Sequence, residues 1–171
     1  MGTPEGNFWN TVRKNLPPNS FATRIENRHG GGIPDVHIIW DSLAFWLELK
    51  VTKNNKVSLS PHQISWNTSY SHKGGVNFIL VKGVGERGLF LFDGGQSARL
   101  SEVGLDLEPL VRASGFGDIF RVLRGNRDKY HYNYERTVST CPLDRIGELT
   151  SPMILHPTVA GCKVLDCLAY F

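Results

Sequence analysis

Residues Gly32 to Val51 read GIPDVHIIWDSLAFWLELKV, two apolar runs separated by a short polar interruption at Asp41-Ser42. Each run reads as a strand, and the two residues between them suit a hairpin loop. With Asp41 and Ser42 as that loop, Trp40 faces Leu43, Val36 faces Leu47 and Asp35 faces Glu48. Side chains alternate along a strand, so Val36, Ile38, Phe45, Leu47 and Leu49 point together into a core. Asp35, Glu48 and Lys50 then share the other face. Directly opposed residues have Cβ atoms roughly 4.5–5.5 Å apart, close enough for both carboxylates to reach one cation.

Two carboxylates left unpaired at that spacing repel each other and raise the pKa of one of them. A divalent cation relieves the repulsion, and ligands that are all oxygen select a hard ion such as Mg²⁺, for which Mn²⁺ is expected to substitute. An ion so held polarises a phosphoryl oxygen and lowers the pKa of a bound water. Lys50, beside the ion, is placed to orient or deprotonate that water or to offset charge in the transition state. Hydrolysis of a phosphodiester uses all three groups. Taken singly, Asp35 after Pro34 could merely open a strand, and Glu48 with Lys50 could be a solvated pair on a sheet edge. The run Trp46-Leu47-Glu48-Leu49 is too apolar for an edge that meets water on both sides.

Pro34-Asp35 followed by Glu48-Leu49-Lys50 resembles the signature of the PD-(D/E)XK nuclease superfamily. Within it the chain looks like the small phage-type endonucleases of the VRR-NUC and Holliday-junction-resolvase kind. The glycine-rich lead-in Arg28-His29-Gly30-Gly31-Gly32, the Ser60-Pro61-His62-Gln63 stretch and Gly74-Gly75 extend that likeness, which covers Asn7 to Asp93. The resemblance implies an α/β restriction-endonuclease-like core, a central mixed sheet flanked by helices on both faces. It implies further that Asp35, Glu48 and the backbone carbonyl of Leu49 ligate the metal, that Lys50 is catalytic, and that Gln63 supports the site. Gln63 has a second reading from the residues alone. Ser60, Pro61 and Gln63 fit the N-cap, N1 and N3 positions of a capping box, and the two roles are compatible.

The superfamily often adds an acid from upstream. Glu5, at the head of a helix expected over Asn7–Leu16, and Glu26, in a strand expected over Phe21–Glu26, are both candidates. Glu5 could equally be a favourable partner for the helix dipole, and Glu26 could pair with Arg24 or Arg28. His37 shares the carboxylate face and could touch a phosphate, as could His29. A structural role suits either one.

The rest of the chain sets the frame. Its 171 residues, 40% hydrophobic and 11% aromatic, suit a globular domain rather than a disordered chain. A change of composition near Thr137 suggests a nuclease domain over 1–136 and a C-terminal extension over 137–171. Cys141, Cys162 and Cys167 lack the paired spacing of a zinc site. No apolar run is long enough to cross a membrane and the N-terminus does not read as a signal peptide, which points to a soluble, intracellular protein, phage-encoded and acting in a host cytoplasm if the resemblance extends that far. A mobile glycine loop (Gly30 to Gly32) leads into the hairpin, and downstream of it come a polar loop over Thr52–Ser58, a helix over Pro61–His72, strands over Val76–Lys82 and Gly88–Asp93, and short helices over Leu107–Ser114 and Phe116–Leu123.

Net charge is only +3, so the placement of cations matters more than their sum. Arg28, His29, Lys53, Lys56 and Lys73 flank the hairpin in loops and could track a phosphate backbone. A second stretch, Arg121 to Arg136, interleaves Arg121, Arg124, Arg127, Lys129 and Arg136 with Tyr130, Tyr132 and Tyr134, a pattern suited to base stacking. The reading is a Mg²⁺-dependent DNA endonuclease, structure-directed and acting as a homodimer or higher homo-oligomer. A homing or restriction-like endonuclease is the alternative among nucleases. Outside that class stand a non-catalytic nucleic-acid-binding module on a nuclease scaffold and a phosphoesterase for small substrates.

Overall fold

The computed structural model describes residues 3–25, 31–83 and 88–125. In chain order the elements are α1 (Pro4–Lys14), β1 (Phe21–Arg24), β2 (Val36–Trp40), β3 (Leu43–Thr52), α2 (Pro61–His72), β4 (Asn77–Gly83), β5 (Leu89–Asp93), α3 (Ser97–Val103), β6 (Val111–Ala113) and α4 (Phe116–Gly125). The strands form one six-stranded sheet in the order β1-β2-β3-β4-β5-β6. β3 and β4 run parallel, joined by the α2 crossover that such a connection needs. The other neighbouring pairs are antiparallel.

The β2–β3 hairpin turns on Asp41 and Ser42, at φ 52° and 64°. Both lie in the left-handed region that a two-residue type I′ loop requires. That loop sets the register: Trp40 pairs with Leu43, Ile38 with Phe45 and Val36 with Leu47. One face of the sheet packs Val36, Ile38, Phe45, Leu47, Leu49, Phe78 and Leu80 against Phe8 and Val12 of α1 and Ile119 and Leu123 of α4. The opposite face packs Ile79, Val81, Phe90 and Phe92 against Leu100 of α3, with Ile64 of α2 beside them. The result is an α/β fold with a central mixed sheet and helices on both faces, the architecture expected from the sequence.

Several boundaries differ from the sequence reading. α1 begins at Pro4, not Asn7, because Thr3 accepts from Gly6 N–H as N-cap and Pro4 takes the first turn. β1 is described only to Arg24. No helix spans Leu107–Ser114; Val111–Ala113 is instead the strand β6, paired with Leu89–Leu91. Pro109 disfavours a helical Glu108 before it, and β5, buried on both faces, needs a partner for its outer edge. α3 was not foreseen, since its buried positions are Ser97 and Leu100, which leave little apolar periodicity to read. The glycine lead-in, expected to be mobile, is seated at Gly32 against the first turn of α2. Glu26, Arg28, His29, the basic and aromatic residues after Gly125, the three cysteines and the 137–171 extension lie outside the described residues. Among the described residues no helix is long and apolar enough to cross a membrane.

Candidate active site

Glu48 and Lys50 alternate with Leu47 and Leu49 on β3, so they leave the sheet on the face opposite the α1–α4 core. Their parallel neighbours on β4 are Ile79 and Val81, members of the second apolar cluster. Glu48 is therefore a carboxylate set at the margin of a hydrophobic core, only 1% exposed. Asp35 precedes Val36, the partner of Leu47, which places it across from Glu48. Its Oδ2 accepts from the Leu49 N–H at 2.9 Å, and its own carbonyl accepts from Ile25 N–H at 2.8 Å. The N–H and C=O of one residue in a strand leave toward the same neighbour. The Leu49 carbonyl therefore opens on the Asp35 side, beyond the start of β2.

α2 supplies the third wall. Ser60 caps it in a capping box with Gln63: the Gln63 N–H donates to Ser60 Oγ at 3.2 Å, and Gln63 Oε1 accepts from the Ser60 N–H at 3.0 Å. The same side chain reaches the sheet. Gln63 Nε2 donates to Glu48 Oε1, and Lys50 Nζ donates to Gln63 Oε1 at 3.2 Å. Lys50 Nζ also lies 3.0 Å from Glu48 Oε1. One Gln63 side chain thus closes the capping box and also bonds Glu48 and Lys50. A buried amide relay holds the helix at this height. Asn67 Nδ2 donates to the Gln63 carbonyl at 2.8 Å, and Asn77 Nδ2 of β4 donates to Asn67 Oδ1 at 2.7 Å.

The electrostatics follow from this enclosure. Burial raises the Glu48 carboxyl to about 7, with the Asp35 charge adding to the rise and Lys50 opposing it. Burial also raises Asp35, against the Leu49 N–H bond and the Lys50 and Arg24 charges. Glu48 Oε2 has no hydrogen-bond partner among the described residues. A buried carboxylate oxygen without a partner is costly; a cation coordinated there would satisfy it.

Gly32 is a contributor the sequence reading did not single out. Its φ is 67°, and a Cβ there would overlap the His62 carbonyl. Only glycine lets the strand that delivers Asp35 lie directly on the helix that delivers Gln63. The signal was present in Gly30-Gly31-Gly32, but a run of glycines does not say which one is pinned. A cleft of about 470 Å³ opens beside Asp35 between this segment and the Ser60–Gln63 turn.

The remaining candidates are dispersed. Glu5, in the first turn of α1, lies near enough for its charge to raise both carboxyls, the smallest of their influences. Among the described residues no three His, Cys, Asp or Glu side chains cluster to hold a metal, so Asp35 and Glu48 form a pair that needs backbone or solvent oxygens to complete a shell. His37 lies on the carboxylate face, its ring 4.9 Å from that of Trp46. Lys53 and Lys56 are exposed on a loop braced by Thr52 Oγ1, which donates to the Lys56 carbonyl at 2.7 Å, and by Asn55, which donates to Asp106 at 2.7 Å. Lys73 caps the far end of α2, ten residues and roughly 15 Å from Gln63. Arg124 pairs with Asp41 at the hairpin tip and Arg121 with Asp118, so neither stands beside the carboxylates.

No family model matches the chain, and no curated protein matches it. Among solved structures it is similar to Hjc, a Holliday junction resolvase from the archaeal hyperthermophile Archaeoglobus fulgidus. The two share 16% identity at a TM-score of 0.42, over 54% of this chain and 74% of that one. A likeness of this degree assigns no residue a role.

Proposed function

We propose that this chain is a Mg²⁺-dependent DNA endonuclease with structure-directed, junction-resolvase-like cleavage, its nuclease domain in residues 1–136 and an extension in 137–171. The observation that carries the reading is Glu48 Oε2, buried and without a hydrogen-bond partner among the described residues, across the hairpin from Asp35. A protein that only needed a filled core would have an apolar residue there. The likeness of Pro34-Asp35 and Glu48-Leu49-Lys50 to the PD-(D/E)XK signature supports it.

The donors fit a hard ion. Asp35, Glu48 and the Leu49 carbonyl would hold Mg²⁺, or Mn²⁺ in its place. When bound, that ion supplies positive charge at the scissile phosphate. Lys50 contributes an ammonium on the same face, oriented by Gln63, to position the attacking water or meet charge on the transition state. Gln63 fixes the spacing of Glu48 and Lys50 from a helix end that its own capping box stabilises. DNA is the substrate and partner, with backbone contacts from Lys53 and Lys56 and paired cuts made by a symmetric homodimer.

Plasmid nicking with Mg²⁺ tests this. Asp35→Ala, Glu48→Ala and Lys50→Ala are expected to abolish or nearly abolish nicking, and wild-type rates in all three would overturn the mechanism. Cleavage of four-way junctions in preference to linear duplex separates the structure-directed reading from a restriction-like one. A second reading, a non-catalytic nucleic-acid-binding module, is favoured by one contact, the direct Lys50–Glu48 pair, which partly neutralises the carboxylate without an ion. Such a module would gain no thermal stability from Mg²⁺, whereas a bound ion raises it.

A further inference from the structure

Asp35 and Glu48 form the first of three rows across one face of the sheet. Because side chains alternate, the register fixes the other two: Thr23, His37 and Trp46, then Phe21, Ile39 and Ala44. Successive rows lie about 7 Å apart along the strands. Burial falls steadily in that direction. Glu48 is 1% exposed, His37 and Trp46 are half-buried, Ile39 is 42% exposed and Phe21 63%. α2 closes only the inner side, where Trp66 meets Trp46 edge-on at 5.6 Å and stacks on Tyr70 at 4.6 Å. The outermost row is left open to solvent.

We propose that this open stretch of sheet binds unpaired bases of the DNA strand adjoining the cleavage point, with the rings of His37 and Phe21 as stacking faces. The inference rests on the nuclease reading of the carboxylate pair and names the form of DNA it takes. The surface is continuous with the acids: a strand whose phosphate reaches Asp35 and Glu48 has its next bases over the His37 and Phe21 rows. Aromatic faces accept any base, so such a surface selects for unstacked strand rather than sequence. Bases inside an intact duplex cannot offer their faces. Single-stranded flanks, flaps and branch points can. A second copy of this chain suits the face less well, since homodimer interfaces have apolar centres, whereas here two of the three residues of the middle row, Thr23 and His37, are polar.

Fluorescence anisotropy of the full chain in EDTA tests this, with a labelled single strand, a flapped duplex and a blunt duplex as probes. Phe21→Ala and His37→Ala are each expected to weaken single-strand and flap binding roughly 5- to 100-fold and to leave blunt-duplex binding within about twofold. Phe21→Trp should retain wild-type binding. Phe21 is exposed, so the thermal midpoint of Phe21→Ala should match wild type and exclude misfolding as the cause. Equal single-strand binding by wild type and both alanine variants overturns the proposal. So does a Phe21→Ala protein that changes from dimer to monomer in sedimentation while each protomer binds DNA as before. Binding is read without metal, so the two readings fail separately: a wild-type protein that never nicks, yet binds single strands through Phe21, contradicts the metal chemistry and supports the surface.

Discussion

The two faces of β3 obey different rules. On one, Phe45, Leu47 and Leu49 meet Phe78, Leu80 and the apolar sides of α1 and α4 in one hydrophobic cluster. On the other, the apolar cluster of Ile79, Val81, Phe90 and Phe92 gives way at β3 to Glu48 and Lys50. There α2 meets the strand not with leucines but with an amide, Gln63, positioned by Asn67 and Asn77. The first face is a closed core. The second is nearly satisfied, with Glu48 Oε2 left without a hydrogen-bond partner among the described residues. A one-residue slip in the hairpin would exchange the two faces, so the Asp41-Ser42 turn protects the site as much as the core.

Substitutions on either side of this one strand should separate stability from activity. Glu48→Gln is expected to lower Mg²⁺-dependent nicking roughly 1,000-fold or more, with little loss of thermal midpoint in EDTA, because the amide keeps the side chain's volume and an oxygen to accept from Gln63. Phe45→Ala, on the closed face, should do the reverse: a cost of about 3–5 kcal/mol in urea unfolding with nicking per folded molecule retained. Equal effects on both readouts from both variants would dissolve the distinction. Lys50→Ala should lower nicking about 100-fold or more while Mg²⁺ still raises the thermal midpoint. Gln63→Ala should be milder, about 10- to 100-fold in nicking with about 1 kcal/mol of stability lost with the cap.

pH sharpens the same contrast by a smaller amount. Glu48 sits at about 7 in the folded chain against an ordinary 4.5, so between those values the folded state binds more protons than the unfolded one. Metal-free stability should therefore fall as pH rises through that window. The ion needs the carboxylate, so the gain in thermal midpoint from Mg²⁺ should be larger at pH 8 than at pH 5.5. Glu48→Gln should flatten both dependences. A wild-type response to Mg²⁺ independent of pH would contradict the assignment of that proton.

The hairpin was legible in sequence because its information is local: two polar residues between apolar runs fix a turn, the turn fixes a register, and the register puts Asp35 across from Glu48. α2 was legible through its ends, Ser60-Pro61 and Gly74-Gly75, rather than its face, since it docks through the amides Asn67 and Gln63 as well as Ile64 and Trp66. What escaped was set by distant partners. β6 exists because β5 needs a neighbour, α3 buries Ser97 through bonds to Thr68 and the Ile64 carbonyl, and Gly32 is pinned by a helix thirty residues later in the chain. No window along the chain contains those contacts.

If the chain is the proposed nuclease, Asp35 and Glu48 hold one divalent ion between them. Anomalous scattering from crystals of the chain soaked in Mn²⁺ tests it directly. A single strong peak is expected within about 2.5 Å of a carboxylate oxygen of each residue, absent from crystals of Glu48→Ala. No peak there in wild-type crystals, with Lys50 still closed on Glu48, would contradict it.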